Sequence, residues 1–356
     1  MSPPLVVKFG GDALAVPERI AAAAHRVALR RRDGAVVAVA SARRGVTDHL
    51  LGLVEQTRTA AGGGGPDRSR ARAAADRAVA SGELVAASLL AVALGTLGLE
   101  AVVLDAREAG LLSDGHPGDA ALTDVRTDRL NRLLERGVTP VVTGFQGWHL
   151  GRLTTLGRGG SDITAIALAA ALGASECELV KDPGALHTAD PRLVPEARPI
   201  ARTTHRFATE LAVAGARVFH PHAAEQAERE GVALRFSSLH GIGEPSTTVT
   251  TSVIDRSSHA VVLAGGHHGF TATAEPFADL ATVTVVTADA GARLLHATAR
   301  VAASRMDSVI LRSTDRPHAT AFLVRAADGA ALLRGLHAHL AVASHDAIGE
   351  VVALAQ

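Results

Sequence analysis

Two short stretches hold residues suited to phosphate and amino-acid chemistry. Lys8-Phe9-Gly10-Gly11 places a lysine and a glycine pair at the end of an apolar run that begins at Leu5. Glycines let backbone N–H groups approach a phosphate, and a nearby ammonium stabilises charge that develops during transfer. The same residues would also make a plain strand-to-helix turn. Thr154-Thr155-Leu156-Gly157-Arg158-Gly159-Gly160-Ser161-Asp162 leads directly into a helical stretch, where amides and the helix dipole converge. Arginine can grip a carboxylate with two parallel hydrogen bonds, and an aspartate can hold an ammonium. Paired closely, Arg158 and Asp162 would clamp both charged ends of an α-amino acid; the alternative is a capped helix with a solvated Arg–Asp pair. Ser81-Gly82-Glu83 and Lys181-Asp182 add further charged groups. Tyrosine is absent, arginine is abundant, and Lys8 and Lys181 are the two lysines of the chain. Their survival in these stretches points to a need for a compact, flexible ammonium.

Phosphoryl transfer to a carboxylate would use such a set. It needs amides and cations at the phosphates and clamps that orient the acceptor. It needs no general base, because a carboxylate is already ionised at neutral pH.

The elements that must position these groups can be read from periodicity. Leu5–Phe9, 35–40, Ala101–Leu104, 140–143 and Cys177–Val180 are mostly apolar runs and read as buried strands. Helical spacing covers 17–32, a segment from Thr47, 71–94 and 162–172, with Ser161 as the expected N-cap of the last. Strands alternating with helices predict an α/β fold, a mostly parallel sheet sandwiched between helices. Gly62 to Pro66 reads as a surface loop. Past about residue 245 the texture changes to β-β-α-β-α: strands at 261–264, 282–287 and 319–324, helices at 290–303 and 330–340. This predicts a smaller α+β domain over 251–356, after a first domain over 1–250.

Bulk properties exclude several classes. The 356 residues suggest two domains, and 47% are hydrophobic, enough for a large core. With 36 basic and 36 acidic side chains, no basic surplus marks a nucleic-acid binder. One cysteine allows no internal disulfide. No signal peptide and no uninterrupted apolar run of about 18 residues is visible, so neither a membrane span nor secretion is expected, and the expected location is the cytoplasm. The 17 histidines, including His267, His268, His337, His339 and His345, lack a metal-binding spacing. Trp148 is expected to pack within a hairpin-like segment, 144–152.

Taken in order, the motifs resemble those of the aspartokinases, within the amino acid kinase superfamily. They are Lys8–Gly11, Ser41 with Gly45-Val46-Thr47-Asp48, Ser81-Gly82-Glu83, Thr143-Gly144-Phe145, Thr154–Asp162, Thr188-Ala189-Asp190-Pro191-Arg192 and His220-Pro221. The match covers about residues 5–245. The resemblance implies ATP-dependent phosphorylation of the side-chain carboxylate of aspartate, with Mg²⁺ bridging the ATP phosphates; the alternatives are a kinase for another or modified small acidic amino acid, and a non-catalytic homologue that binds an amino acid and regulates a partner. It implies that Lys8, Gly10 and Gly11 lie at the transferring phosphate. Ser41, Thr47 and Ser161 would bind substrate, Glu83 and Asp162 would hold its ammonium, and Arg158 its α-carboxylate. Lys181, Asp182, Asp190, Arg192 and Arg217 would line the nucleotide site. It also implies a C-terminal region like the family's regulatory ACT modules and a homodimer.

The chain departs from the family pattern in three places. Asp12-Ala13 replaces the usual Thr-Ser after the glycine pair, which either puts negative charge beside the phosphates and removes a hydroxyl donor, weakening ATP binding or redirecting substrate choice, or leaves Asp12 to cap the next helix and point away. The 182–192 loop has lost one acidic residue and an aromatic and gained Pro183. The C-terminal region has room for about one complete ACT module or two abbreviated ones.

Overall fold

A computed structural model describes residues 3–62, 69–216, 219–241, 243–251, 259–265, 280–287, 299–300, 302–304, 306, 310–316 and 318–353. The chain divides into two compact units. One comprises Met1–Ala185 with Glu225–Thr248, the other Leu186–Ala224 with Val249–Gln356.

In the first unit, β1 (Leu5–Phe9), α1 (Pro17–Arg30), β2 (Val36–Ala40), α2 (Val46–Ala60), α3 (Ser69–Thr96) and β3 (Ala101–Leu104) lead the chain. Then come β4 (Leu111–Ser113), β5 (Leu122–Val125), α4 (Asp128–Glu135), β6 (Thr139–Thr143), β7 (Gln146–His149), β8 (Arg152–Thr155), α5 (Gly160–Ala171) and β9 (Cys177–Val180). The strand Leu234–Ser237 joins β9, β1, β2, β6 and β3, in that order, in one sheet. Each of these pairings is parallel. The apolar runs are buried on both faces, as continuous hydrophobic strands must be. β5-β4-β7-β8 make a separate small mixed sheet.

Strand alternation assigns the faces. Val7, Phe9, Val36, Ala38 and Ala40 share one core with Ile20, Ala24 and Val27 of α1 and Ala86, Leu90 and Leu94 of α3. Lys8, between Val7 and Phe9, therefore points to the opposite face, where its ammonium meets α5. By length and composition, Ala71–Thr96 of α3 could cross a membrane; here that helix packs on α1, β3 and β6.

The helix expected from Asp162 begins at Gly160, and its N-cap is Gly159 at φ 77°, with no side-chain cap. Ser161 therefore lies in the first turn and is not the cap: the cap takes a left-handed backbone, which glycine adopts without a Cβ penalty. Asp12 does not cap α1 either. That role falls to Val16, and the Asp12 carboxylate pairs with Arg44 at 3.1 Å. Trp148 lies in the β7–β8 hairpin, opposite Leu153, with the Arg107 guanidinium 5.5 Å from its ring centre.

The second unit holds an antiparallel sheet of His259–Gly265, Leu280–Thr287, Ala319–Arg325 and Ile310–Arg316, in that order. The helix Ala326–Ala353 packs on it. Ala189 and Val194 join its core with Val283, Phe322, Leu332 and Leu336. The strand Ile310–Arg316 was absent from the sequence reading. It is an edge strand carrying Arg312, Asp315 and Arg316, and such polar edges lack an apolar run. Most of the helix expected at 290–303, the 63–66 loop and His267–His268 lie outside the described residues.

Candidate active site

The predicted groups converge where strands of the parallel sheet end. Lys8 is near the end of β1, Ser41 follows β2, Phe145 follows β6 and Lys181 follows β9. This carboxyl edge is where open α/β sheets bind ligands. A cavity of about 1400 Å³ opens there, lined by Lys8, Ser41, Thr47, Glu83, Arg158 and Asp162, among others. Ser161 lines it too. The helices α2 and α5 both start beside it from left-handed glycine caps, Gly45 and Gly159. Their first-turn amides and dipoles favour negative charge in the cavity.

The centre of the site is a buried triad of charge. Asp162 Oδ1 lies 2.6 Å from Lys8 Nζ, and Oδ2 lies 2.9 Å from Lys181 Nζ. Lys8 and Asp162 are only 6% and 5% exposed. Burial alone would raise the Asp162 pKa, but Lys181 and Lys8 overcome that and hold it well below the usual carboxylate range. Burial lowers the Lys181 pKa, with Asp162 opposing. The close Arg158–Asp162 pair read from the sequence is not formed. Both Asp162 oxygens face lysines, and Arg158 is exposed on its loop within the cavity lining. The two lysines thus share a single carboxylate, a link that their 173-residue separation in sequence conceals.

Glu83 sits in the same cavity but is tuned the other way. It is 2% exposed. Its Oε1 accepts a hydrogen bond from the Ala42 amide at 3.1 Å, while Oε2 is buried with no hydrogen-bond partner. Burial pushes its pKa up to about 7, against the Ala42 amide and the Lys8 charge. One cavity therefore holds a firmly ionised carboxylate and another that titrates near neutrality, with an unsatisfied oxygen able to take an ammonium donor.

The remaining predicted residues fall in different places. Gly10 donates its amide to the Val180 carbonyl at 3.3 Å, continuing the β1–β9 ladder, and the Gly11 carbonyl accepts from the Arg44 amide at 3.0 Å. Asp182 pairs with Arg19 of α1. Asp190 and Arg192 belong to the second unit, where Arg192 grips the Asp190 carboxylate with Nε at 3.0 Å and a terminal nitrogen at 2.7 Å. Arg217 lies outside the described residues. The motif Thr143-Gly144-Phe145 carried no assigned role, yet Phe145 is a cavity residue at φ 69°; the residue missed altogether is Asp76, a buried carboxylate in the cavity wall. A signal for Asp76 existed: it stands seven residues, about two helical turns, before Glu83, and so on the same helix face.

A parallel α/β sheet with an anion-favouring cavity at its carboxyl edge defines the class: a fold built to bind charged small molecules. The comparisons with known proteins narrow it. Residues 3–237 match the amino acid kinase family, and the chain belongs to that family. An aspartokinase of Thermus thermophilus is 39% identical over 66% of this chain and 56% of its own length. One from Mycobacterium tuberculosis is 36% identical over 74% of this chain and 61% of its own. The chain thus spans about three-fifths of the curated relatives it matches. Among solved structures, aspartate kinase from Synechocystis superposes with a TM-score of 0.60 at 26% identity, covering 95% of this chain and 69% of that one. Aspartokinase III of E. coli, in complex with lysine and aspartate, superposes with a TM-score of 0.73 at 21% identity over 95% of this chain, a likeness of fold.

Proposed function

We propose that the protein phosphorylates the side-chain carboxylate of L-aspartate with ATP, giving 4-phospho-L-aspartate. The observation that carries this reading is the cavity lined by Lys8, Asp162 and the half-unsatisfied Glu83, where Asp162 pairs with Lys8 through one oxygen and with Lys181 through the other. The aspartokinases among its relatives support the choice of acceptor.

In this mechanism Arg158 binds the α-carboxylate and ionised Glu83 takes the α-ammonium. Ser41, Thr47 and the α2 and α5 amides orient the side-chain carboxylate, which attacks without a general base. Lys8 stabilises the charge of the transferring phosphoryl group near Gly10 and Gly11. Asp162 fixes Lys8 and Lys181 in place. As a secondary contact it offers the ammonium a nearby negative charge. Lys181 and Asp182, and by resemblance Asp190, Arg192 and Arg217, serve the nucleotide. Mg²⁺ would accompany ATP and supply charge neutralisation at the phosphates.

Residues 1–250 would form the catalytic domain. Residues 251–356 would form an ACT-like regulatory and dimerisation domain of a cytoplasmic homodimer, with an amino acid as effector. Activity of the dialysed protein that ignores lysine, threonine and other amino acids would rule that regulation out.

A second reading, a kinase for a larger or modified acidic amino acid, is favoured by one observation. The cavity extends along apolar α2 and α3 side chains such as Leu50, Leu53, Val54 and Val79, further than aspartate requires. Trapping acyl phosphate with hydroxylamine separates the two readings. Hydroxamate with L-aspartate supports the first; hydroxamate only with bulkier acidic amino acids supports the second.

A further inference from the structure

Asp76 has no role in the mechanism above, yet it is a carboxylate only 4% exposed in the wall of the same cavity. Both of its oxygens are committed. Oδ1 accepts from the Thr155 hydroxyl at 2.9 Å. Oδ2 accepts from the Gly118 amide at 3.2 Å and the Thr155 amide at 3.3 Å. The Thr155 carbonyl in turn accepts from the Ala120 amide at 2.9 Å. The loop so held leans on the turn that carries Arg158: a Cβ on Gly157 would lie 2.5 Å from Asp119 Oδ1. One side chain on α3 therefore ties the end of β8 and the 118–120 loop to the helix that also carries Glu83.

We infer that Asp76 is a positioning residue for the amino-acid acceptor. It fixes Thr155 and Gly118, and through them the Gly157–Arg158 turn, at a set distance from Glu83 on the same helix. The acceptor's two charged ends bind Arg158 and Glu83, so the Asp76 network sets the span between the clamps. This inference rests on the proposed acceptor chemistry, but its structural half can be tested without it. Burial raises the Asp76 pKa, with the Thr155 hydroxyl and the Gly118 and Thr155 amides opposing. The ionised carboxylate can accept all three hydrogen bonds. Asparagine keeps the size and can turn its NH₂ to the Thr155 hydroxyl, but its neutral oxygen then accepts from the Gly118 and Thr155 amides without the charge that strengthens those bonds.

The test compares the wild type with Asp76→Asn and Thr155→Val by amide hydrogen exchange and steady-state kinetics on the full chain. In Asp76→Asn, exchange at Gly118, Thr155 and the 157–160 amides is expected to speed up about tenfold or more, while β1 and β2 stay protected. The KM for the amino acid should rise about 10- to 100-fold, the range for losing a hydrogen bond to a charged group, with kcat and the KM for ATP within about threefold. Thr155→Val should show a smaller rise in the same KM, and the double variant less than the product of the two. Unchanged exchange at 118 and 155–160 overturns the inference whatever the enzyme turns over. Equal rises in both KM values with a global loss of protection overturn it in favour of a general structural role. A wild type with no acceptor activity refutes the proposed function instead, and the exchange result still decides the role of Asp76.

Discussion

The two units carry predicted site residues in opposite physical settings. In the first, Lys8, Asp162 and Lys181 share one buried cluster, and Glu178 is fully buried against Arg26 and Arg30, with Arg30 at 3.1 Å. In the second, Asp190 and Arg192 grip each other at the surface, with the Arg192 side chain 81% exposed. Buried charges cannot turn to water when a partner is lost, so their geometry is fixed by the fold; an exposed pair can open at little cost. A preorganised electrostatic site needs the first kind of setting. The second suits contacts that must open and re-form.

Removing Asp162 should have the largest effect. Asp162→Ala strands two lysines in a buried site and should cost about 3–5 kcal/mol in urea denaturation, along with most of the activity. A variant of unchanged stability would break the contrast between the units. Glu178 sharpens it, because it is equally buried but outside the cavity lining. Burial would raise its pKa, but Arg30 and Arg26 pull it below the ordinary value. Its contribution to stability is thus present above its unfolded-state pKa and lost as pH falls through the lower folded value. Glu178→Gln should lose stability comparable to Asp162→Ala while leaving both KM values unchanged.

Glu83 gives the next effect, in pH. Its folded pKa of about 7 lies above the ordinary 4.5. The native state therefore holds this proton more tightly. The associated stability is full below the unfolded pKa and lost as pH rises through about 7. Ammonium binding needs the ionised form, so the KM for the amino acid should fall about tenfold between about pH 6 and about pH 8. Glu83→Gln should raise that KM and flatten both profiles; a profile unchanged by the substitution would assign the titration to another group. The smallest effect is expected at the exposed pair. Asp190→Ala should change stability by less than about 1 kcal/mol, and any kinetic effect should fall on the KM for ATP.

Much of this was legible in the sequence because its causes are local. Mostly apolar runs marked β1, β2, β6 and β9, and glycine–charge motifs marked the end of β1 and the start of α5. What escaped depended on long-range pairing. Asp162 read as a partner of nearby Arg158, yet the sheet brings Lys8 and Lys181 to it from adjacent strands. Ser161 read as a helix cap because cap preference ranks serine high, but the required left-handed backbone fell to Gly159. Asp76 has no motif of its own; only folding shows that its partners are Thr155 and Gly118. The edge strand Ile310–Arg316 carries too many charges to register as a strand.

The most direct test of the central claim is hydroxylamine trapping with Mg²⁺-ATP and L-aspartate, run in parallel with ADP release, for the wild type and Lys8→Ala. The buried lysine–aspartate cluster predicts hydroxamate and ADP in equal amounts from the wild type, and a fall of about 10²- to 10³-fold or more in the variant. Hydroxamate formed equally well without Lys8, or ADP released with no hydroxamate from any acidic amino acid, would contradict it.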